Sequence, residues 1–221
     1  LARSLDCSFK RIQFTPDITP SDITGFSVVN FKTGELEYKQ GLVMSQIVLA
    51  DEINRTSPKT QSSLLEVMEE GQVTVDGTTY RMPSPFIVLA TQNPVDFVGT
   101  YPLPEAQLDR FFMRVSIGYP SQEEEIDILE RYTSGARPME ELKPICSSQD
   151  IVKLQQQVDT VYTSREVRAY ISAIAAASRR NGALQLGVST RAAISLLRAG
   201  QARALLQGRD YVSPEDVQKM A

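Results

Sequence analysis

The feature that most constrains the fold of this chain is the run Ile-Val-Leu-Ala at residues 47–50, which ends abruptly in Asp51 and Glu52. An uncharged run of this kind is typical of a strand that is buried on both faces of a parallel sheet. Open α/β sheets bind ligands at the carboxyl ends of their strands. The sequence therefore predicts that both carboxylates lie at a ligand-binding edge, with a solvated strand end as the simpler alternative.

Alternating strands and helices indicate a three-layer α/β domain in the first part of the chain. Ser57 and Pro58 are a typical start for a helix, and Gly71 is a typical end. Hairpins are expected around Thr33-Gly34 within residues 26–40 and around Asp76-Gly77 within residues 72–82. Strands of the sheet are predicted at 8–14, 47–51, 86–90 and 112–117.

The character of the sequence changes to helical after Gly118-Tyr119-Pro120. Three Ser/Thr-x-x-acid patterns predict helix starts there, namely Ser121 with Glu124, Thr163 with Glu166, and Ser213 with Asp216. We therefore predict two domains, an α/β core over residues 1–118 and a small all-α domain over residues 119–221.

Composition excludes several kinds of chemistry. The 221 residues include no histidine, so mechanisms that need Ser-His-Asp or Cys-His are excluded and a zinc site is not expected. A net charge of −4 argues against a general nucleic-acid binder. No apolar run is long enough to span a bilayer. The two cysteines are interpreted as buried free thiols, so we predict a cytoplasmic protein.

Four polar positions follow predicted elements, where chemistry is usually placed: the Asp51-Glu52 pair, Asn93 after the strand 86–90, Arg110, and Arg191 at a helix start. Each also has a structural interpretation. Asn93 could cap the turn before Pro94, Arg110 could pair with a nearby acid (Asp109 or Glu105), and Arg191 could be a surface cation.

The motifs that contain these positions resemble, in this order, those of the MoxR family of AAA+ ATPases. The matching segments lie at residues 49–55, 89–94, 105–111 and 213–217, and the resemblance extends over nearly the whole chain. It implies a parallel-sheet core of the P-loop NTPase type followed by a helical lid domain. The two hairpins resemble the helix-2 insert and the pre-sensor-1 hairpin of this AAA+ branch.

The resemblance also implies a role for each candidate residue. Asp51 would hold the water shell of Mg²⁺, and Glu52 would be the general base for ATP hydrolysis. Asn93 resembles sensor 1. Arg110 resembles the arginine finger donated to the next subunit of a ring, with Arg114 as the alternative. Arg191 resembles sensor 2, which binds the phosphates of ATP or ADP.

One element of the family is missing from the sequence. None of the 12 glycines is followed by lysine, so the phosphate-binding P-loop is absent. The first residue is Leu1, and we expect the chain to be a piece of a longer ATPase, incomplete at its N-terminus and inactive by itself. The family role would be chaperone-like remodelling by a hexameric ring with von Willebrand factor A domain partners. The alternative is an inactive AAA+ module that serves as an assembly scaffold.

Overall fold

The computed structural model describes residues 1–92, 99–133 and 142–221. Short 3₁₀ turns occur at Arg3–Leu5 and Ile53–Arg55. The core contains, in chain order, β1 (Phe9–Gln13), α1 (Pro20–Thr24), β2 (Gly25–Val29), β3 (Leu36–Gln40), β4 (Ile47–Asp51), α2 (Pro58–Glu70), β5 (Gln72–Val75), β6 (Thr78–Arg81), β7 (Ile87–Ala90) and α3 (Glu105–Leu108).

A parallel sheet of order β1-β4-β7 forms the centre of the core, as the apolar run predicted. Val48 and Ala50 of β4 are fully buried and belong to the same hydrophobic cluster as Leu64 and Leu65 of α2. The register places Gln13, the last residue of β1, beside Asp51. Because the strands run parallel and in step, their carboxyl ends meet at one edge.

Both predicted hairpins are confirmed, as the antiparallel pairs β2-β3 and β5-β6. Asp76 and Gly77 have φ values of 49° and 77°, which fits the two left-handed positions of a type I′ turn. The rings of Tyr38 and Tyr80 stack with their centroids 3.9 Å apart, so the two hairpins pack against each other. The predicted start of α2 at Ser57-Pro58 and its end at Gly71 are also confirmed.

The strand predicted at residues 112–117 is wrong. This segment has no strand assignment, and its apolar side chains are exposed, with Ile117 at 98%. An extended segment is stable only when neighbouring strands satisfy its backbone. Among the described residues no strand pairs with it, so the apolar sequence alone does not produce a strand here.

The remainder of the described chain is helical, with α4 (Gln122–Thr133), α5 (Ser148–Thr160), α6 (Arg165–Arg180), α7 (Thr190–Leu206) and α8 (Pro214–Met220). A second hydrophobic cluster includes Ile171 of α6, Ala204 of α7 and Val217 of α8. The domain division between 118 and 119 stays a prediction.

The capping patterns at Ser121 and Ser213 are present as predicted. The pattern at Thr163 is displaced by one residue, because Ser164 caps α6 instead. The thiols of Cys7 and Cys146 are free, although half-buried rather than buried. No helix in the described parts of the chain has the length and apolarity needed to cross a membrane.

Candidate functional site

Asp51, the last residue of β4, has its carboxylate held from both neighbouring strands. Thr91, directly after β7, donates from Oγ1 to Asp51 Oδ1 at 2.6 Å. Arg11 of β1 donates from Nε to Oδ2 at 3.0 Å. The Thr91 hydrogen bond, followed by the Arg11 contact, lowers the pKa of Asp51 from its ordinary value. The carboxylate is therefore ionised at neutral pH, as an oxygen ligand for a cation must be.

Glu52 adopts the left-handed backbone region, with φ of 56°. A residue other than glycine keeps such a conformation where its surroundings fix it. Its N–H donates to Thr91 Oγ1 at 2.9 Å, and its carboxylate Oε2 accepts from Gln13 Nε2 at 2.9 Å and from Arg55 Nη1 at 3.1 Å. The Thr91 hydroxyl thus connects both carboxylate residues at once.

We call this group the strand-edge cluster; its members are Arg11, Gln13, Asp51, Glu52, Arg55 and Thr91. Sequence reasoning assigned no role to four of them. The available signal was the alternation in β1, where exposed Arg11 and Gln13 flank buried Ile12. That pattern says which face is polar, whereas the contact with Asp51 depends on the register of β1 beside β4.

The two predicted phosphate-binding arginines meet at a different place. Arg110, just after α3, places Nε 3.4 Å from Glu69 Oε2. Arg191, in the first turn of α7, donates from Nη2 to the other oxygen, Glu69 Oε1. Neighbouring residues make a second contact, since the hydroxyl of Ser189 donates to both carboxylate oxygens of Asp109 at 2.7 and 2.8 Å.

We call these five residues the boundary cluster, because they join the core to the helical region: Glu69, Asp109, Arg110, Ser189 and Arg191. Arg110 thus pairs with a carboxylate on α2, and Asp109 is engaged by Ser189. Ser189 caps α7, and Thr190 is its first residue. Arg114 lies in the exposed segment that follows.

The helix α2 separates the two clusters. Ile53, next to Glu52, accepts a hydrogen bond from Gln61 in the first part of α2 at 3.2 Å. Glu69 lies in its last turn. A helix of 13 residues is about 20 Å long. The predicted sensor 1, Asn93, lies outside the described residues, so its relation to either cluster stays a prediction.

The residues of the two clusters suit Mg²⁺ and a nucleotide. Carboxylate and hydroxyl oxygens are the ligands that Mg²⁺ prefers, and they lie at the carboxyl edge of the sheet. Guanidinium groups suit phosphate oxygens, because their planar fork matches the geometry of the anion. Both clusters are partly exposed, so a ligand has access to Asp51 as well as to Arg110 and Arg191.

Comparison with known proteins agrees with this chemistry. Residues 1–113 match the model of the ATPase family associated with various cellular activities (AAA), and residues 176–221 match that of the AAA lid domain. A solved protein from Cytophaga hutchinsonii, described as a candidate ATPase, superposes with a TM-score of 0.89 at 42% identity, covering 100% of this chain and 69% of that one.

Two curated relatives extend over almost the whole chain. The uncharacterized protein YeaC of Bacillus subtilis is 54% identical over 100% of this chain and 69% of its own length. Chaperone MoxR1 of Mycobacterium tuberculosis is 42% identical over 98% of this chain. The chain spans 59% of the length of that second relative.

The fold and the matching family models define a module of the AAA type, with a parallel-sheet core and a helical lid. Within that class, the chain belongs to the MoxR family of AAA+ ATPases. The predicted fold class and the predicted family are therefore confirmed.

Proposed function

We propose that the protein containing this chain hydrolyses ATP with Mg²⁺ and uses the energy to remodel or mature partner proteins. The observation that carries the proposal is the Thr91 hydroxyl, which holds the side chain of Asp51 and the backbone of Glu52 at one edge of the sheet. Two carboxylates with fixed and different surroundings suit two different tasks, cation binding and proton transfer.

In this proposal each residue of the strand-edge cluster has a defined part. Asp51, ionised and supported by Thr91, holds the water shell of the metal, while Glu52 accepts the proton of the attacking water. Mg²⁺, when bound, neutralises negative charge on the phosphates. Asn93 orients the attacking water as sensor 1. The contacts from Gln13 and Arg55 keep the Glu52 carboxylate at the sheet edge until the substrate arrives.

The two arginines of the boundary cluster supply the positive charge of the proposed site. Arg110 is the arginine finger, which neutralises charge on the nucleotide held by the next subunit of a ring. Arg191 is sensor 2 and binds phosphate from the lid. In such a ring each subunit takes part in two sites: it binds a nucleotide in one and supplies its arginine finger to the other.

The wider role in this proposal follows the family. The protein assembles as a hexamer in the cytoplasm and acts as a chaperone on client proteins, with von Willebrand factor A domain proteins as partners. Support comes from the relative named Chaperone MoxR1, and the net charge of −4 argues against a general nucleic-acid binder.

A non-catalytic assembly scaffold is the second candidate. The observation that favours it is that cationic side chains already occupy both carboxylates, Arg11 on Asp51 and Arg55 on Glu52. A scaffold would bind no nucleotide, so titration of the full-length protein with a fluorescent ATP analogue in the presence of Mg²⁺ separates the two candidates.

The test of the ATPase proposal is Glu52→Gln in the full-length protein. Loss of a general base lowers turnover by about a hundredfold or more, while ATP binding is retained. Glu35→Gln, on the exposed first hairpin, is the matched control and keeps wild-type turnover. Wild-type turnover in the Glu52→Gln variant would show that the base assignment is wrong.

A further inference from the structure

One carboxylate serves two arginines in the boundary cluster. Oε1 of Glu69 pairs with Arg191 of the lid, and Oε2 pairs with Arg110 of the core. The side chains are accessible to a ligand, with exposed fractions of 37% for Glu69, 33% for Arg110 and 44% for Arg191. Both guanidinium groups are thus fixed against the same small group, although they come from different domains.

The charges explain why such a group is needed. Two guanidinium groups that approach each other repel, and a carboxylate between them offsets that repulsion. The two guanidinium groups carry two positive charges against the one negative charge of Glu69, so the pair still attracts a phosphate, while the carboxylate of Asp109 faces the hydroxyl of Ser189. The hydrogen bond from Ser189 to Asp109 joins the same two segments of the chain, next to the arginines.

The stability of α2 does not account for Glu69. A carboxylate in the last turn of a helix faces the negative end of the helix dipole, which is unfavourable. The last turn of α2 contains no basic residue that would compensate. Glu69 therefore has its favourable contacts outside its own helix, with Arg110 and Arg191.

We propose that Glu69 is a positioning residue that holds Arg110 and Arg191 together as one two-guanidinium unit for phosphate. The inference rests on the proposed function, and it adds that the finger and the lid arginine act jointly on one nucleotide, that of the next subunit, rather than independently. Glu69 touches neither nucleotide nor water in this account. It acts through the two arginines, by setting their separation and their orientation.

The experiment compares Glu69→Gln with Glu70→Gln in the full-length protein. The two variants remove one negative charge each from the same turn of α2, and only Glu69 contacts the arginines. We expect Glu69→Gln to lower kcat about tenfold with KM for ATP nearly unchanged, because misplaced catalytic groups lose transition-state stabilisation. Glu70→Gln should behave as the wild type does.

A second measurement separates positioning from a general structural effect. Glu69→Gln is introduced into a variant in which Arg110 and Arg191 are both alanine, and hydrolysis is followed in a single turnover. If Glu69 acts through the arginines, the substitution causes no further loss there. A further loss of similar size would overturn the inference.

The failure of this inference differs from the failure of the proposed function. An unchanged or raised kcat for Glu69→Gln, while Arg110→Ala lowers kcat, overturns the positioning role alone. If Glu52→Gln and Arg110→Ala also keep wild-type turnover, the proposed function itself is overturned.

Discussion

The strand-edge cluster and the boundary cluster differ in how they are held. At the strand edge, backbone hydrogen bonds fix the residues that carry the side chains: Thr91 N–H donates to Ala50 and Ile53 N–H donates to Thr91, both at 3.0 Å. In the boundary cluster, the contacts that join core and lid are between side chains. The carboxylates are therefore fixed by the backbone of the sheet, whereas the arginines are held only by contacts between partly exposed side chains.

The largest expected effect is that of Arg110→Ala on turnover. An arginine finger contributes about a thousandfold or more, so its loss should nearly abolish hydrolysis. Arg114→Ala, four residues along the exposed segment, is the matched control and should remain close to wild type. The opposite result, with turnover lost only in Arg114→Ala, would assign the finger to Arg114. The boundary cluster would then not contain the arginine finger.

A buried ion pair within the lid gives a reference for both clusters. Arg209 donates from Nη1 and Nη2 to the two oxygens of Asp216 at 2.7 and 2.6 Å, and Asp216 is almost completely buried. Because Asp216→Asn weakens these charge-assisted hydrogen bonds, while the 28% exposed Arg209 side chain can still be hydrated, the free energy of unfolding should fall by about 2 kcal/mol. Urea denaturation measures this, with exposed Asp210→Asn as the control.

The same pair sets a dependence on pH. Arg209 holds the pKa of Asp216 far below its ordinary value of 3.8. At pH values above the ordinary pKa, the ionised Asp216 contributes its full stabilisation of the folded state. This stabilisation is lost as the pH falls toward the lower pKa of the folded state. The wild type should therefore lose stability more steeply below about pH 4 than Asp216→Asn does. Parallel curves for the two proteins would contradict this assignment.

The rigidity of the strand-edge cluster is tested by Thr91→Val. Removing the hydroxyl breaks two hydrogen bonds at an exposed position, so the free energy of unfolding should fall by about 1 kcal/mol. The pKa of Asp51 should rise, because Thr91 is the first cause of its lowering. Thr91→Ser keeps the hydroxyl and should retain both properties. Equal behaviour of Thr91→Val and Thr91→Ser would show that the hydroxyl does not hold the cluster.

The smallest effect on stability is expected for Glu69→Gln. Its ion pairs are partly exposed, and such pairs contribute less than about 1 kcal/mol, which salt reduces further. Thermal unfolding at low and high salt should therefore hardly distinguish the variant from the wild type. A loss as large as that of Asp216→Asn would show that the boundary cluster is a rigid structural element.

The sequence predicted the features that depend on local pattern. The apolar run before Asp51 gave the central strand, and the Ser57-Pro58 start and Gly71 end gave α2, because each reports a local requirement of burial or capping. The segment 112–117 was mispredicted because apolar residues show a preference for burial, whereas a strand also requires a neighbour.

Contacts between distant residues could not be predicted in this way. Arg191 and Glu69 are 122 residues apart, and nothing in either local sequence indicates that they meet. The same holds for Arg11 and Asp51, whose contact depends on the register of two strands that are 40 residues apart. The resemblance to a family supplied roles for single residues, whereas the sharing of Glu69 by two arginines required the structure.

The most direct test of the account mixes two inactive full-length variants, Glu52→Gln and Arg110→Ala. If each nucleotide is hydrolysed by Glu52 of one subunit and Arg110 of its neighbour, some interfaces in a mixed ring have both residues intact. At such an interface Glu52 comes from an Arg110→Ala subunit and Arg110 comes from a Glu52→Gln subunit. With equal mixing this arrangement occurs at about a quarter of the interfaces, so about a quarter of wild-type turnover should return. A mixture as inactive as its two components would contradict the division of the site between subunits.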